Sequence, residues 1–125
     1  MKLTPFESTM LSGWEDVYRK SQVSLWILIA IREEKGFVEE IRTFIHRHGD
    51  VDMSEQSLYR SLRRLESATL IQSRSVENPK GPDRKYFSLS PEGGHVLGAF
   101  IERNITAMFL SSPNNDLFSN RKDVS

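Results

Sequence analysis

Seven consecutive apolar residues, Leu25-Trp26-Ile27-Leu28-Ile29-Ala30-Ile31, constrain this chain more than any other feature. The run is far shorter than the roughly 18 residues needed to span a bilayer, and it lacks the alternation of a half-buried strand. It reads as part of a helix buried around most of its circumference, extending from Trp14 or Glu15 to about Glu34 and broken at Lys35-Gly36. A helix covered on every side needs other elements to cover it, and a chain of 125 residues supplies enough of them for one compact domain.

The flanking segments carry their own start and stop signals. Thr4-Pro5-Phe6-Glu7 combines a cap, a proline at the first helical position and a glutamate at the third, predicting a short helix that Gly13 ends. Phe37, Val38, Ile41, Phe44 and Ile45 recur at helical spacing up to Gly49. Ser54 caps a third helix in this region, with Leu58, Leu62 and Leu65 as its apolar stripe and Gln56, Ser57, Arg60, Ser61 and Arg64 pointing elsewhere. Residues 71–76 and 85–89 read as strands either side of the turn-rich Asn78-Pro79-Lys80-Gly81-Pro82-Asp83. Ser90-Pro91-Glu92 opens a last helix with a broad apolar face of Val96, Leu97, Phe100, Ile101, Ile105, Met108 and Phe109, ending near Ser111-Ser112-Pro113. From Asn114 onward the chain is polar and reads as loosely ordered.

The expected class is therefore mainly α with a small β-hairpin (α+β). An N-terminal capped helix occupies 1–13, a winged helix-turn-helix 14–90, a dimerisation helix 91–112 and a flexible tail 113–125. Three helices followed by a two-stranded hairpin is the order in which a third helix enters a DNA major groove and the hairpin reaches the adjacent backbone.

Charge allows such a role only locally. Seventeen basic residues balance 17 acidic ones, so bulk charge does not drive nucleic-acid binding. Residues 51–90, however, carry Arg60, Arg63, Arg64, Arg74, Lys80, Arg84 and Lys85 against Asp52, Glu55, Glu66, Glu77 and Asp83, an excess of two positive charges. On an arbitrary helix Arg60, Arg63 and Arg64 would read as a solvated face; within the winged-helix order they read as DNA contacts.

Other chemistries lack their residues. There is no cysteine, hence no disulfide, thiolate metal site or thiol nucleophile, which is compatible with a reducing cytoplasm. The first residues lack the apolar core of a secretory signal, so a cytoplasmic protein is expected. His46 and His48, two apart on a helix, face different ways, and His95 is solitary. Gly93-Gly94 lies in no phosphate-binding glycine motif, and no catalytic set stands out. No enzyme, cofactor or metal is expected. Trp14, Trp26 and Phe37 read as core in preference to the lining of a ligand cavity, and no small-molecule effector can be named.

The stretch Ser54-Glu-Gln-Ser-Leu-Tyr-Arg-Ser-Leu-Arg-Arg-Leu-Glu-Ser-Ala-Thr-Leu-Ile resembles the recognition-helix pattern S-x-x-S-L-Y-x-x-L-x-x-L-E-x-x-G-L-I of the PadR family of bacterial transcription regulators. Gly81-Pro82-Asp83-Arg84-Lys85-Tyr86-Phe87-Ser88-Leu89-Ser90-Pro91-Glu92-Gly93 is similar to that family's wing, G-x-x-R-K-Y-Y-x-L-T-x-x-G, and Lys35-Gly36-Phe37 stands where H-G-Y is usual. The resemblance covers about residues 20–100. Thr69 replaces the usual glycine after the recognition helix, and Lys35 replaces the usual histidine. A single good C-terminal helix is similar to the short-tailed subgroup, in which control of the cyanobacterial circadian period is one role.

The resemblance implies a transcriptional regulator, most simply a repressor, that binds a pseudo-palindromic double-stranded DNA operator as a homodimer. Gln56, Ser57, Arg60 and Ser61 are the expected base-edge contacts, and Tyr59, Arg63, Arg64, Lys80, Arg84 and Lys85 the expected phosphate contacts. The apolar face of the last helix exceeds what a small core needs, so Leu97, Phe100, Ile101, Ile105 and Met108, joined by Phe6 and Met10, are the expected dimer interface. The rival is a winged helix used as a protein-interaction module, which zero net charge favours; a poorer one is a small-molecule sensor.

Overall fold

The computed structural model describes residues 2–119. Helices α1 (Pro5–Ser21), α2 (Val23–Arg32), α3 (Val38–Gly49) and α4 (Glu55–Ser67) precede an antiparallel hairpin of β1 (Ile71–Val76) and β2 (Arg84–Leu89). Helix α5 (Pro91–Ile101) continues through a π-helical stretch, Glu102–Thr106, into α6 (Ala107–Leu110), and α7 (Ser112–Leu117) follows. The architecture is mostly helical with one small hairpin, the winged-helix arrangement that the sequence predicts.

Helix α2 is the axis of the core. Ile27 and Ala30 are wholly buried, and α3, α5 and β2 pack around them. Ile41 and Ile45 from α3, Leu58 and Leu62 from α4, Ile71 and Phe87 from the hairpin and Leu97 from α5 complete one cluster. The hairpin register, Ile71 opposite Leu89 and Ser73 opposite Phe87, sends Phe87 inward and keeps the far end of the wing in solvent.

Two boundaries differ from those predicted. Gly13 does not end the first helix; α1 runs through it to Ser21, so the expected division between 13 and 14 falls inside one element. The cost of a glycine in a helix, about 1 kcal/mol, is offset here. Thr4 Oγ1 accepts from the Glu7 N–H at 3.1 Å while Glu7 Oε1 accepts from the Thr4 N–H at 2.9 Å, and Glu15–Arg19 and Asp16–Lys20 pair one turn apart. The break comes instead at Gln22. The second difference lies after Asn114, where α7 replaces the expected loose tail: Asn114 Nδ2 donates to the Ala107 carbonyl at 3.2 Å and Phe118 packs on Phe109 with ring centroids 5.4 Å apart. Residues 120–125 of that tail lie outside the described residues.

Close approaches fix how the layers meet. The Phe87 N–H donates to the Gly36 carbonyl at 2.9 Å, and a Cβ at Gly36 would strike the Phe87 carbonyl and the Tyr86 ring. A Cβ at Gly93 would likewise strike the Leu70 carbonyl. Ser90 Oγ donates to the Thr69 carbonyl at 2.5 Å and accepts from the Gly93 N–H at 2.9 Å, capping α5 while tying it to the turn after α4. That turn requires a left-handed residue, and Thr69 occupies it with φ 62°. A β-branched side chain there costs roughly 1–2 kcal/mol that glycine would not.

Thr69→Gly should therefore raise the unfolding free energy by roughly 1 kcal/mol in urea denaturation, the relief of strain exceeding the added unfolded-state entropy. Gly93→Ala should lower it by roughly 2–3 kcal/mol, because the collision is with backbone.

Candidate nucleic-acid interface

The turn joining α3 to α4 is held on both sides. Asp50 takes the left-handed conformation that ends α3, Arg42 Nε donates to the Met53 carbonyl at 2.8 Å, and Ser54 Oγ caps α4 by accepting from the Ser57 N–H at 3.1 Å. Leu58, Leu62 and Leu65 then face the core, so the opposite side of α4 must face outward. Gln56, Arg60, Arg63 and Arg64 are exposed there, and Ser57 is half-buried beside them. Arg60 Nη2 donates to Ser57 Oγ at 3.0 Å, which restrains the longer side chain toward the helix N-terminus. Tyr59 is half-buried and packs on the edge of the core.

Ser61 does not join this face. It lies one turn from both Leu58 and Leu65 and is only 8% exposed, so its hydroxyl is turned into the protein and out of reach of a base edge.

The wing supplies the second half of the surface. Asn78 builds its tip, accepting from the Gly81 N–H with its carbonyl at 3.2 Å and from the Lys80 N–H with Oδ1 at 3.1 Å. Lys80, Arg84 and Lys85 are all exposed. The wing is held against the turn before α3 by a stack in which two guanidiniums enclose a pair of rings. The Arg84 guanidinium lies 3.9 Å from the Phe37 ring centroid, Phe37 meets Tyr86 edge-on at 4.9 Å, and Arg74 lies 4.9 Å from the other ring of that pair, Tyr86. The Tyr86 hydroxyl donates to the Glu34 carbonyl at 3.3 Å. Between wing, α3 and α4 runs a groove of about 540 Å³ whose walls include Glu39, Tyr59, Arg63, Arg84 and Lys85.

Arg84 differs from its neighbours in one respect: it pairs with Glu39. Among the described residues, Arg60, Arg63, Arg64, Lys80 and Lys85 form no ion pair. A cluster of unpaired cations repels itself unless an anion is supplied, and evenly spaced phosphates are the anion that an exposed helix and hairpin fit together.

Residues 27–99 match the model of the transcriptional regulator PadR-like family. The chain belongs to that family. The matched segment runs from the buried α2 through α4 and the wing into α5, so it holds both the core and the cationic surface. Among solved structures, the chain is similar to a PadR-like transcriptional regulator from Bacillus cereus, at 29% identity and a TM-score of 0.65 over 81% of this chain and 96% of that one. It is also similar to a transcriptional regulator from Clostridium thermocellum, at 25% identity and a TM-score of 0.62 over 84% and 96% of the two chains. A PadR-family regulator from Eggerthella lenta shares the fold at 19% identity, with a TM-score of 0.67 over 90% and 96%. No curated protein matches the chain. The PadR-like family comprises DNA-binding transcriptional regulators and not enzymes, which places this chain in that broad class.

The residues expected to pair two PadR-like chains divide in the structure. Leu97 is 2% exposed and belongs to the protein's own core, where it meets α2, so it offers nothing to a partner. Ile101 and Ile105 are half-buried against the same core. Phe6, Met10, Phe100 and Met108 are exposed. Sequence reasoning missed Trp14, Val17 and Tyr18, which extend the Phe6 and Met10 stripe along α1; Trp14 is 76% exposed. Their three- and four-residue spacing was the available signal, hidden by ending the helix at Gly13. Trp14, Trp26 and Phe37 do not come together: Trp26 packs on Phe44 and His48, and Phe37 lies under the wing. Among the described residues no helix is long and apolar enough to cross a membrane.

Phe37→Ala removes the middle of the wing stack, and should cost about 2 kcal/mol given that the ring is only half-buried. Amide hydrogen exchange across β1 and β2 should accelerate more than exchange in α2, showing that the loss is local to the wing.

Proposed function

We propose that the protein is a repressor that binds a pseudo-palindromic operator as a homodimer, placing α4 of each copy in a major groove and the wing along the neighbouring backbone. The observation that carries this reading is the set of exposed, unpaired cations on α4 and the wing, of which Arg63 and Lys85 line one groove, in a chain of zero net charge. Gln56, Ser57 and Arg60 are the base-edge contacts; Arg and Gln suit guanine and adenine edges, and Ser57 pre-orients Arg60. Tyr59, Arg63, Arg64, Lys80, Arg84 and Lys85 contact phosphates. Repression follows from occupying a promoter.

The dimer in this proposal joins the α1 stripe of Phe6, Met10, Trp14 and Tyr18 to the exposed faces of α5 and α6 at Phe100 and Met108. Helix α1 has no buried residue, which a lone chain leaves unexplained: a 17-residue helix gains most of its stability from an apolar face that packs. Trp14→Glu should convert the dimer to monomer in sedimentation velocity while circular dichroism retains the helix content of the core.

Function is tested by selection of fragmented host DNA by the purified protein at near-physiological salt, beside an Arg60→Ala, Arg64→Ala double variant. Recovery of a two-fold-symmetric sequence by the wild type alone is expected, and circadian clock genes are one target class that the sequenced fragments would reveal. Arg60→Ala alone should lose roughly 1–3 kcal/mol and relax base choice at one position, whereas Lys85→Ala should weaken all sequences alike and flatten the salt dependence. Enrichment of no fragment by either protein would leave a protein-interaction module as the better account.

A further inference from the structure

The ion pair between Arg84 and Glu39 sits in the groove where the proposed function requires a phosphate. Glu39 lies in the first turn of α3, beside Arg63 and Lys85 on the groove wall, and its side chain is 66% exposed. Arg84 is held below by the Phe37 ring, which fixes the plane of the guanidinium and leaves its nitrogens to choose between anions. Two other acids lie at this end of the wing: Asp83, which also lines the groove and accepts from Ser75 Oγ at 3.5 Å, and Glu77, which follows β1 and is exposed. Every other cation assigned to a phosphate is unpaired, so this carboxylate is not part of a general charge lattice.

We propose that Glu39 stands in for a DNA phosphate in the free protein, and that backbone binding exchanges the carboxylate for a phosphodiester on Arg84. This rests on the DNA-binding reading above. Carboxylate and phosphodiester each carry one negative charge and present two oxygens to the guanidinium fork, so the exchange needs little movement of a side chain that Phe37 already orients. It makes Glu39 a residue that sets affinity without touching DNA. It lowers binding to every sequence, because Arg84 must give up one anion to take another and Glu39 is then left unpaired near the backbone. Specific sites, which gain base-edge contacts as well, tolerate that penalty better than random DNA does.

The test is a double-mutant cycle on the full chain with Glu39→Gln, Arg84→Met and the double variant. The probe is a fluorescent duplex of arbitrary sequence, titrated over a range of low salt concentrations. Methionine keeps an apolar body over Phe37, Arg84→Gln serves as a second replacement, and thermal melts establish that each variant is folded. Glu39→Gln should tighten binding about three- to fivefold and steepen the salt dependence by roughly one phosphate contact, and the gain should largely vanish when Arg84 is absent. An equal gain with and without Arg84 would mean simple repulsion between Glu39 and DNA, and would overturn the exchange while leaving the DNA-binding reading intact. Weaker binding by Glu39→Gln would mean that the pair only braces the wing, and would also overturn it. A wild-type chain that binds no duplex at any salt concentration would overturn the DNA-binding reading together with the exchange.

Discussion

Burial of α2 sets the geometry of the whole molecule, because a helix with Ile27 and Ala30 fully covered can be satisfied only from several sides at once. Helix α3 covers one side, α5 another, and the hairpin closes a third through Phe87. Once α2 is enclosed, α4 has one way to bury Leu58, Leu62 and Leu65, and its arginines are left outside as a consequence. The cationic face is thus a by-product of core packing as much as of the arginines themselves.

A protein with zero net charge can still bind a polyanion, provided that its acids are kept away from the surface that does so. Most of them are. Glu15 and Asp16 pair with α1 cations, Glu33 pairs with Arg32, and Glu66, near the C-terminal end of α4, accepts from Ser73 at 2.8 Å. Glu39 and Asp83 both line the groove, and of the two Glu39 faces a cation directly. Screening acts over about 8–10 Å at moderate salt, so the arrangement of the nearest few groups outweighs the total.

Much of this was legible in the sequence because the informative signals were local. The capping residues Thr4, Ser54 and Ser90, the apolar spacing of α3 and α4, and the strands around Asn78-Pro79 depend on neighbours a few residues away, and each appears where its pattern places it. The failures share a cause. Gly13 looks like a stop because its intrinsic cost is visible while the side-chain pairs that offset it are not. Ser61 looks like a groove contact because its position relative to the core depends on a rotation of α4 set by other elements. Leu97 belongs to a broad apolar face, and spacing alone could not divide the part that meets α2 from the part left exposed. The pairing of Arg84 with Glu39 joins residues 45 positions apart, which no local pattern encodes.

The two halves of the proposed function meet at one small joint. Ser90 begins α5, and its hydroxyl bonds the carbonyl of Thr69 in the turn that ends α4; Gly93 lets α5 approach close enough for the Leu70 carbonyl to lie against its backbone. Helix α4, which the proposal places on DNA, and α5, which it places at the dimer contact, are therefore tied together at this joint. In a two-fold dimer built on α5 and α6, the separation of the two α4 helices would follow from that joint and from the length of the α5 to α6 segment. In that proposal half-site spacing on DNA would be a property of the fold, and base recognition by Arg60 would select among sites that the geometry already permits. The left-handed Thr69 occupies the same joint, so the strain it carries lies where α4 and α5 are held in register.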